Sequence, residues 1–369
     1  MVASDKVVPQ GLVRLMWDTD PLFTDARRCD MTMVLSFAEA IEQAAGVTKK
    51  PHVLLGNGFS IACRPDAFTY DALLTEATFD GAAGNIGGVF DLLGTTDFER
   101  VIEILEMSAD LSALYGAGSA FGDTLRKDAE IVRDSLARVP AARHPDLPYA
   151  IDVTEYEACR TFLSRFERIY TLNYDMLLYW ATMQDLKPDI ATDDGFRNPD
   201  DEDAEYVSWE PYSDFQTQRL FYLHGSLHLY DSGTEISKIT WSRTGIPFVN
   251  QIREALSVRR YPLIVTEGSS AQKEAKILHN AYLNHAIRSL ARIQGALFIY
   301  GHSLAANDEH IFRRVVDGKL SHLYVSLHGD PASDANRQMI VRGTRLRELR
   351  QGDQLNVQFY DADSANPWR

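Results

Sequence analysis

The chain has 369 residues and carries 37 Lys and Arg against 52 Asp and Glu, a formal net charge of −15 at pH 7. This acidic balance argues against binding to the nucleic-acid backbone, which needs clustered basic side chains. Hydrophobic residues make up 45% of the chain, enough for the core of one large domain or of two smaller ones.

The cysteines and the hydropathy pattern are typical of a cytoplasmic protein. Cys29, Cys63 and Cys159 are the three cysteines, and none is paired at the spacing of metal ligands. No apolar run approaches the roughly 20 residues of a membrane-spanning helix, and the first residues lack the pattern of a signal peptide. We therefore expect no membrane segment and no disulfide.

Strands and helices alternate along most of the sequence. Apolar runs predict strands at 52–55, 168–172, 220–223, 263–265, 296–300, 323–327 and 355–360. Apolar periodicity and capping residues predict helices at 31–46, 71–78, from Asp97 onwards, 121–137, 156–166, after Asp175, and at 273–293, 307–316 and 335–349. The acidic stretch 193–206 is predicted to be a solvated loop, and 226–260 to be irregular with a short hairpin near 236–241.

Most of the predicted strands are apolar throughout, as parallel strands are when helices cover both faces of the sheet. The sequence therefore predicts an α/β fold with a Rossmann-like, mainly parallel sheet and helices on both faces. The helical block 97–167 falls between the first two core strands and is interpreted as an inserted subdomain. The predicted division is an N-terminal helical segment at 1–50 and one domain at 51–369.

Polar or glycine-rich motifs follow several of the predicted strands. They are Gly56–Ser60, Thr171–Asp175, His224–Gly225, Gly301–Leu304 and, as a fifth candidate, His328–Asp330. In an open α/β sheet, ligands bind outside the carboxyl ends of the strands. Because all five motifs follow strands, the sequence predicts that they line one cleft.

Each motif also has a purely structural interpretation. Asn173 can cap the helix after its strand, and Asp175 can be a carboxylate favoured by the helix dipole. His224 can be a hydrogen-bonded histidine at a strand end, and Ser303 a turn hydroxyl. Their shared position after strands favours a site over these alternatives.

The loop Gly56–Ser60 has the composition of a phosphate-binding turn, since glycine lets the backbone approach a ligand and helix N–H groups favour phosphate. It is not a dehydrogenase fingerprint, because the third glycine position is occupied by Ile61. Asp71 and Glu76 are candidates for a ribose-binding acid, but neither follows a clear second strand. No Gly-Lys-Ser/Thr follows the turn, which excludes a Walker-type loop.

The set of motifs resembles the sirtuin superfamily over about residues 52–330. Gly56–Ser60 looks like its Gly-Ala-Gly-x-Ser loop, and Thr171–Asp175 looks like its Thr-Gln-Asn-Ile-Asp motif. His224–Gly225 is similar to its catalytic His-Gly, and Gly301–Leu304 to the Gly-Thr-Ser-Leu segment that holds the adenosine ribose. The order along the chain agrees.

Within that superfamily, the chain is similar to zinc-less bacterial proteins of anti-phage defence and to an uncharacterised relative group, through Thr266–Ser270 and Lys273. It has no cysteine after Cys159, whereas sirtuin deacylases carry two Cys-x-x-Cys pairs there, so no zinc is expected. The Gln of the middle motif is Leu172, and the Phe-Gly-Glu element is not recognisable around 263–268. These departures argue against peptide deacylation.

The resemblance implies an NAD hydrolase that releases nicotinamide and ADP-ribose and so depletes NAD during phage infection. Its implied catalytic residues are Asn173, Asp175 and His224. Its implied NAD-binding residues are Gly56, Asn57, Gly58, Phe59, Ser60, Thr171, Gly301, Ser303, Leu304, Asp308 and His328.

The resemblance also implies a cytoplasmic homo-oligomer, with a nucleic-acid-translocating ATPase or a nuclease as partner. Two alternatives stay open at the level of sequence. One is an NAD-dependent deacylase or ADP-ribosyl transferase, and the other is a nucleotide-binding subunit without catalysis.

Overall fold

The computed structural model describes residues 33–369 apart from short gaps. The gaps are 66–76, 96–97, 117–118, 144, 146, 191, 200–203, 205, 211–216, 241–244, 259, 266–268 and 352–353. Most of the predicted N-terminal segment, most of the predicted helix at 71–78, the candidates Asp71 and Glu76, the cap Asp97 and the motif residues 266–268 lie outside the described residues.

A parallel sheet forms the centre of the fold, as the sequence predicts. Seven described strands belong to it, in the order β1-β12-β11-β10-β2-β3-β6. Their bounds are β1 Val34–Leu35, β2 His52–Leu55, β3 Ile169–Thr171, β6 Leu220–Tyr222, β10 Gln294–Tyr300, β11 Lys319–Leu327 and β12 Asn356–Asp361. All the pairings between them are parallel, which confirms the predicted Rossmann-like α/β class.

The strand order reverses at β2. From β2 the chain proceeds to β3 and β6 on one side, and later to β10, β11 and β12 on the other. Such a reversal leaves a crevice at the carboxyl ends of the two strands that flank it, here β2 and β10. The fold therefore provides one preferred place for a ligand, between the loops that follow these two strands.

Helices flank this sheet. Their bounds are α1 Phe37–Ala45, α2 Gly58–Cys63, α3 Ile86–Leu93, α4 Phe98–Leu114, α5 Ser119–Arg143, α6 Val153–Leu163, α7 Leu177–Met183, α8 Phe248–Ser257, α9 Ser270–His279, α10 Ala281–Leu290, α11 Glu309–Asp317 and α12 Asp334–Leu349. Short 3-10 turns cover Pro148–Ala150 and Ala306–Asp308. Each of the described helices is too short or too polar to cross a lipid bilayer.

Local sequence explains several helix starts. Ser36 accepts the N–H of Glu39 and Asp152 accepts that of Thr154, while the glutamate three residues after each cap bonds back to the cap's own N–H. Such reciprocal bonds satisfy donors that the first turn leaves unpaired. Helices α4 to α6 lie between β2 and β3 along the chain, within the block 97–167 where an inserted subdomain is predicted. A separate subdomain stays a prediction.

A second, antiparallel sheet corrects the sequence analysis. Its described strands follow the order β4-β5-β8-β7-β9, with bounds β4 Phe196–Arg197, β5 Tyr206–Trp209, β7 Gly225–Asp231, β8 Ile236–Ile239 and β9 Pro262–Ile264. The run at 263–265 is therefore wrongly assigned to the parallel sheet, and the region 226–260 is more regular than predicted. The hairpin near 236–241 exists as β7 and β8.

Two further predictions are wrong for identifiable reasons. The acidic stretch 193–206 is only partly a loop, because Asp194 is buried and pairs with the ammonium of Lys238 inside the second sheet. The long helix at 273–293 is two helices, because Asn280 adopts an extended backbone and caps the second with its side chain. An asparagine in that role starts a helix rather than continuing one.

Candidate functional site

The loops after β2 and β10 touch at the point where the strand order reverses. The Gly56 N–H donates to the Tyr300 carbonyl at 2.8 Å, and the Gly58 N–H donates to the Gly301 carbonyl at 2.8 Å. The Gly301 N–H in turn donates to Oγ of Ser326 at the end of β11, at 2.9 Å. The two predicted nucleotide-binding loops are thus one contiguous surface.

Close backbone contact explains the glycines of these loops. A Cβ on Gly58 would lie 2.5 Å from the Gly301 Cα, and one on Gly301, whose φ is +67°, would lie 2.6 Å from the Gly58 Cα. The contact with Gly301 therefore accounts for the lack of a side chain at Gly58, and the approach of a pyrophosphate to this glycine stays a prediction.

The amides of the same loop are also occupied. Phe59 N–H and Ser60 N–H each donate to a backbone carbonyl at 3.0 Å, as Gly58 N–H does to Gly301. A phosphate at these three amides would have to replace those bonds. Phosphate binding here is thus weaker support for a nucleotide than the sequence suggests.

The motif after β3 binds the loop after β2 through side chains. The Asn173 amide nitrogen donates to the Gly56 carbonyl at 3.0 Å and to Ser60 Oγ at 2.9 Å. Ser60 Oγ donates to Oδ2 of Asp175 at 2.5 Å, so that it must accept from Asn173. This fixes the orientation of the Asn173 amide, and its Oδ1 has no partner within the described chain.

Asp175 has the contacts of a positioning residue. Its Oδ2 accepts from Ser60, and its Oδ1 accepts the Leu177 N–H at 2.9 Å at the start of α7. Burial raises the pKa of Asp175, and the hydrogen bonds from Ser60 and Leu177 oppose that rise. Both carboxylate oxygens are therefore engaged in holding the loop and the helix, and a direct catalytic role stays a prediction.

His224 lies where the chain passes from one sheet to the other. β6 of the parallel sheet ends two residues before it, and β7 of the second sheet begins directly after it. The His224 carbonyl accepts the Val265 N–H at 2.8 Å, and Gly225 makes the turn with a φ of +72°. Both sheets thereby fix the position of the imidazole.

The His224 ring is buried among other titratable groups. Its Nε2 lies 3.3 Å from Nε2 of His310 and 3.8 Å from Oδ1 of Asp308. Burial lowers the pKa of His224 to about 3, and Lys273 and His310 add to that lowering while Asp308 opposes it. The ring is therefore neutral near pH 7, and among the described residues its Nδ1 has no hydrogen-bond partner.

Asp308 is the centre of this buried cluster. Its Oδ1 accepts from the Lys273 ammonium at 2.9 Å and its Oδ2 from Nε2 of His302 at 2.9 Å. Burial pushes the pKa of Asp308 upward, but His302, His224 and Lys273 outweigh it and the net pKa is lowered. His302 accepts the Leu304 N–H on Nδ1, so its proton is on the nitrogen that faces Asp308.

Gly56 connects the two groups of side chains. Its carbonyl accepts from Asn173, and a Cβ added to it would lie 2.7 Å from Cβ of His302. The hydrogen bonds around Asn173 and the cluster around Asp308 and His224 therefore meet where Gly56 packs against His302. The structure brings together the motifs after β2, β3, β6 and β10.

The remaining predicted site residues differ in whether their side chains are available to bind a ligand. The side chains of Asn57 and Ser303 are half-buried at the mouths of the two loops and have no hydrogen-bond partner in the part of the chain that the structure describes. Both can receive a ligand. Thr171, by contrast, is buried, and its Oγ1 accepts the Asn173 N–H at 3.0 Å.

Three more predicted residues have structural contacts. Phe59 is buried against the Trp368 ring, which also donates its indole N–H to the Phe59 carbonyl at 2.9 Å. Leu304 is buried and turns the loop with a φ of 53°. His328 is exposed and pairs with Asp363 at 2.9 Å, so the fifth motif makes none of the polar contacts of the other four.

Sequence reasoning missed His302 and His310 as site residues, and it noted Ser270 and Lys273 only as part of a motif. His302 stands inside the predicted Gly301–Leu304 motif, and His310 follows two residues after the predicted Asp308. A histidine this close in sequence to a predicted site residue after a strand could have been recognised as a further site residue. Ser270 and Lys273 carry no such signal, because only the fold brings α9 to His224.

Three atoms of the cluster have the spacing of metal ligands. One ligand atom each of His224, Asp308 and His310 lie within 4.8 Å of one another. The Lys273 ammonium, however, is already 2.9 Å from the same Asp308 oxygen. Two unit charges about 4 Å apart repel by about 4 kcal/mol at an effective dielectric constant of about 20, and a divalent ion would double that. We therefore interpret Lys273 as the cation of this cluster.

Lys273→Met is expected to lower the free energy of unfolding by about 3 kcal/mol, because it leaves a buried carboxylate without its ammonium partner. This loss is at the low end of the range for breaking a buried ion pair, since His302 still donates to Asp308. Urea unfolding measures it. Lys127→Met, which changes an exposed lysine on α5, should leave the midpoint where it is. Equal midpoints for the two variants would contradict the role given to the Lys273–Asp308 pair.

Comparisons with known proteins place the chain in a family. No curated protein matches it in sequence. A Sir2 homologue mutant in complex with ADP-ribose is 14% identical over 84% of this chain and 96% of its own, with a TM-score of 0.34. A Sir2 homologue in complex with NAD is 13% identical over 86% of this chain and 96% of its own, with a TM-score of 0.31. Similarities this weak carry no conclusion about function. The model of the domain of unknown function DUF4917 matches residues 53–368, and the chain therefore belongs to that family.

Proposed function

We propose that this chain is an NAD glycohydrolase, which cleaves the bond between nicotinamide and ribose. One observation carries the proposal: four motifs that resemble the NAD site of sirtuins lie in contact with one another beside the crevice between β2 and β10. Ligands of open α/β sheets bind at such a crevice. The specific choice of NAD is supported by the resemblance of the motifs.

Asn173 is suited to orient the reacting end of NAD. Its amide nitrogen is held by Gly56 and Ser60, so the Oδ1 atom is presented in a fixed direction. A fixed dipole of this kind can accept from the carboxamide of nicotinamide or from the attacking water. Because it is already oriented, it costs no reorganisation when positive charge develops on the ribose.

His224 is suited to accept the proton released by the water or by a ribose hydroxyl. It is neutral near pH 7 and presents Nδ1 without a partner in the described structure. Its low pKa makes it a weak base in the resting protein. Proton transfer becomes favourable as the reaction proceeds, since the Asp308 carboxylate 3.8 Å away stabilises an imidazolium.

Incubation of the purified chain with NAD tests the proposal. We expect nicotinamide and free ADP-ribose to appear in equal amounts, as followed by chromatography. ADP-ribose or an acyl product attached to protein would instead indicate a transferase or deacylase. No product under any activating condition would contradict the proposal.

A second candidate is an NAD-binding protein that does not cleave its ligand. The observation that favours it is the burial of His224, whose side chain is 6% exposed and whose pKa is lowered to about 3. Calorimetry with NAD distinguishes the two, because saturable binding without nicotinamide release fits only this candidate.

The resemblance to sirtuin-like defence proteins supports a role in anti-phage defence through NAD depletion. On the same ground we propose a cytoplasmic homo-oligomer that works with a nucleic-acid-translocating ATPase or a nuclease. The cellular NAD level after phage challenge tests the role. It should fall in cells with the wild-type chain and stay constant in cells with an Asn173→Ala chain.

A further inference from the structure

We propose that His310 and Ser270 form a proton relay behind His224, so that two imidazoles share the proton that one base would otherwise hold. The inference rests on the proposed function, because it concerns the base of that reaction. His310 and Ser270 are positioning residues in this scheme, since only His224 faces the substrate.

The three side chains form a chain of contacts with one open end. Ser270 Oγ lies 3.1 Å from Nδ1 of His310, and Nε2 of His310 lies 3.3 Å from Nε2 of His224. Both nitrogens of His310 are therefore engaged. His224 has one nitrogen engaged, and its Nδ1 has no partner among the described residues, so the chain can take up a proton there.

Backbone contacts hold the middle of this chain in place. The His310 N–H donates to Ser270 Oγ at 2.8 Å, so the serine contacts both the backbone and the ring of His310. The planes of the His224 and His310 rings are 23° apart and their centroids 5.4 Å apart, so that with 3.3 Å between the two Nε2 atoms the rings meet edge to edge. This geometry ties the first turn of α9 to that of α11 and directs the two Nε2 atoms at each other.

The proton step balances without a further reactant. In the form that acts as base, the Nε2–H of His224 donates to Nε2 of His310, and the Nδ1–H of His310 donates to Ser270 Oγ. When His224 Nδ1 takes a proton from the substrate or water, its Nε2–H bond breaks and that proton binds the lone pair on Nε2 of His310. The positive charge then lies on His310, one residue further from the nicotinamide.

The charges around the pair suit such a transfer. His224 faces Asp308, Lys273 and His302, and His310 faces Asp308, Lys273, Arg313 and Arg314. Asp308 favours a proton on either ring and Lys273 disfavours it on either. Burial lowers the pKa of His310 to about 4 and that of His224 to about 3, so the two rings are nearly matched as bases.

His310→Gln tests the relay, because glutamine retains a hydrogen-bonding group but takes no proton. We expect kcat for NAD cleavage to fall by at least about tenfold, within the ~10²–10⁴-fold that a general base contributes. The KM for NAD should stay the same, and the acid limb of the pH–rate profile should move. Ser270→Ala should shift the same limb by a smaller amount.

His322→Gln is the matched control. His322 makes the same kind of contact, with its Nδ1 3.1 Å from Oγ of Ser321, but on β11 and outside the cluster. Its profile should equal that of the wild type. A His310→Gln profile that also equals the wild type would overturn the relay.

A second measurement does not need activity. In the full chain with ¹⁵N-labelled histidine, the ring signals of His224 and His310 should change together as the pH falls. His310→Gln should shift the midpoint of His224. An unchanged midpoint would refute the relay even if the protein cleaves no NAD, whereas a shifted midpoint without NAD cleavage would refute only the proposed function.

Discussion

His224→Gln is expected to cleave NAD about 10²–10⁴-fold more slowly than the wild type, the usual contribution of a general base. Glutamine fills most of the same space and can still bond to His310, so the fold should persist. The NAD affinity should change little, because in the proposed reaction His224 takes up a proton and does not hold the phosphates or the adenine.

The measurement is kcat from nicotinamide release, with the dissociation constant from calorimetry beside it. His322→Gln serves again as the control, since it removes a half-buried imidazole outside the cluster. Should His224→Gln turn over at the wild-type rate, His224 is not the base. A loss of affinity with an unchanged kcat would mean that His224 only binds the substrate.

The sequence predicts the frame of the site because parallel strands have a simple signature. The residues of β2 are all buried, and β10 and β11 end in buried apolar runs. Such runs indicate both the strand and the place where it ends, so the polar motifs that follow could be assigned to one edge. The strand order itself is not visible in the sequence, yet it decides that the loops of Gly58 and Gly301 touch.

The rest of the site depends on contacts between distant residues. Lys273 is 35 positions from Asp308, and His224 is 86 positions from His310. Nothing local to Lys273 distinguishes it from a solvated lysine on an amphipathic helix, and only tertiary packing gives it a buried carboxylate. The same holds for the Asp194–Lys238 pair, whose acidic neighbours made the region look like a solvated loop.

The glycines also show that the sequence does not reveal which distant residues come into contact. The sequence identifies Gly58 as a place where something approaches the backbone closely, which is true, while the pyrophosphate that it suggests for this loop stays a prediction. The neighbour is Gly301, with which Gly58 forms a backbone contact. A glycine pattern therefore indicates that other atoms lie close to the backbone, and only the structure shows which atoms they are.

Gly225→Ala is expected to destabilise the protein by more than about 4 kcal/mol, an exceptional cost for one substitution. Gly225 has a φ of +72°, and a Cβ there would lie 1.8 Å from the Leu263 carbonyl oxygen. The neighbour is backbone, so no side-chain rotation relieves the overlap. Relief requires β7 and β9 to separate at the point where Gly225 pairs with Ile264.

Gly233→Ala separates the cost of the positive φ from the cost of the overlap with the backbone of Leu263. Gly233 also has a positive φ, +82°, but a Cβ there meets nothing within 4 Å. It should lose only the roughly 1–2 kcal/mol of a left-handed alanine. Urea unfolding of both variants gives the comparison. If Gly225→Ala costs no more than Gly233→Ala, the close contact between β7 and β9 is not what fixes His224. If it costs far more, the junction of the two sheets fixes the position of His224, which is how a buried ring could be held in place for the role of base that we propose.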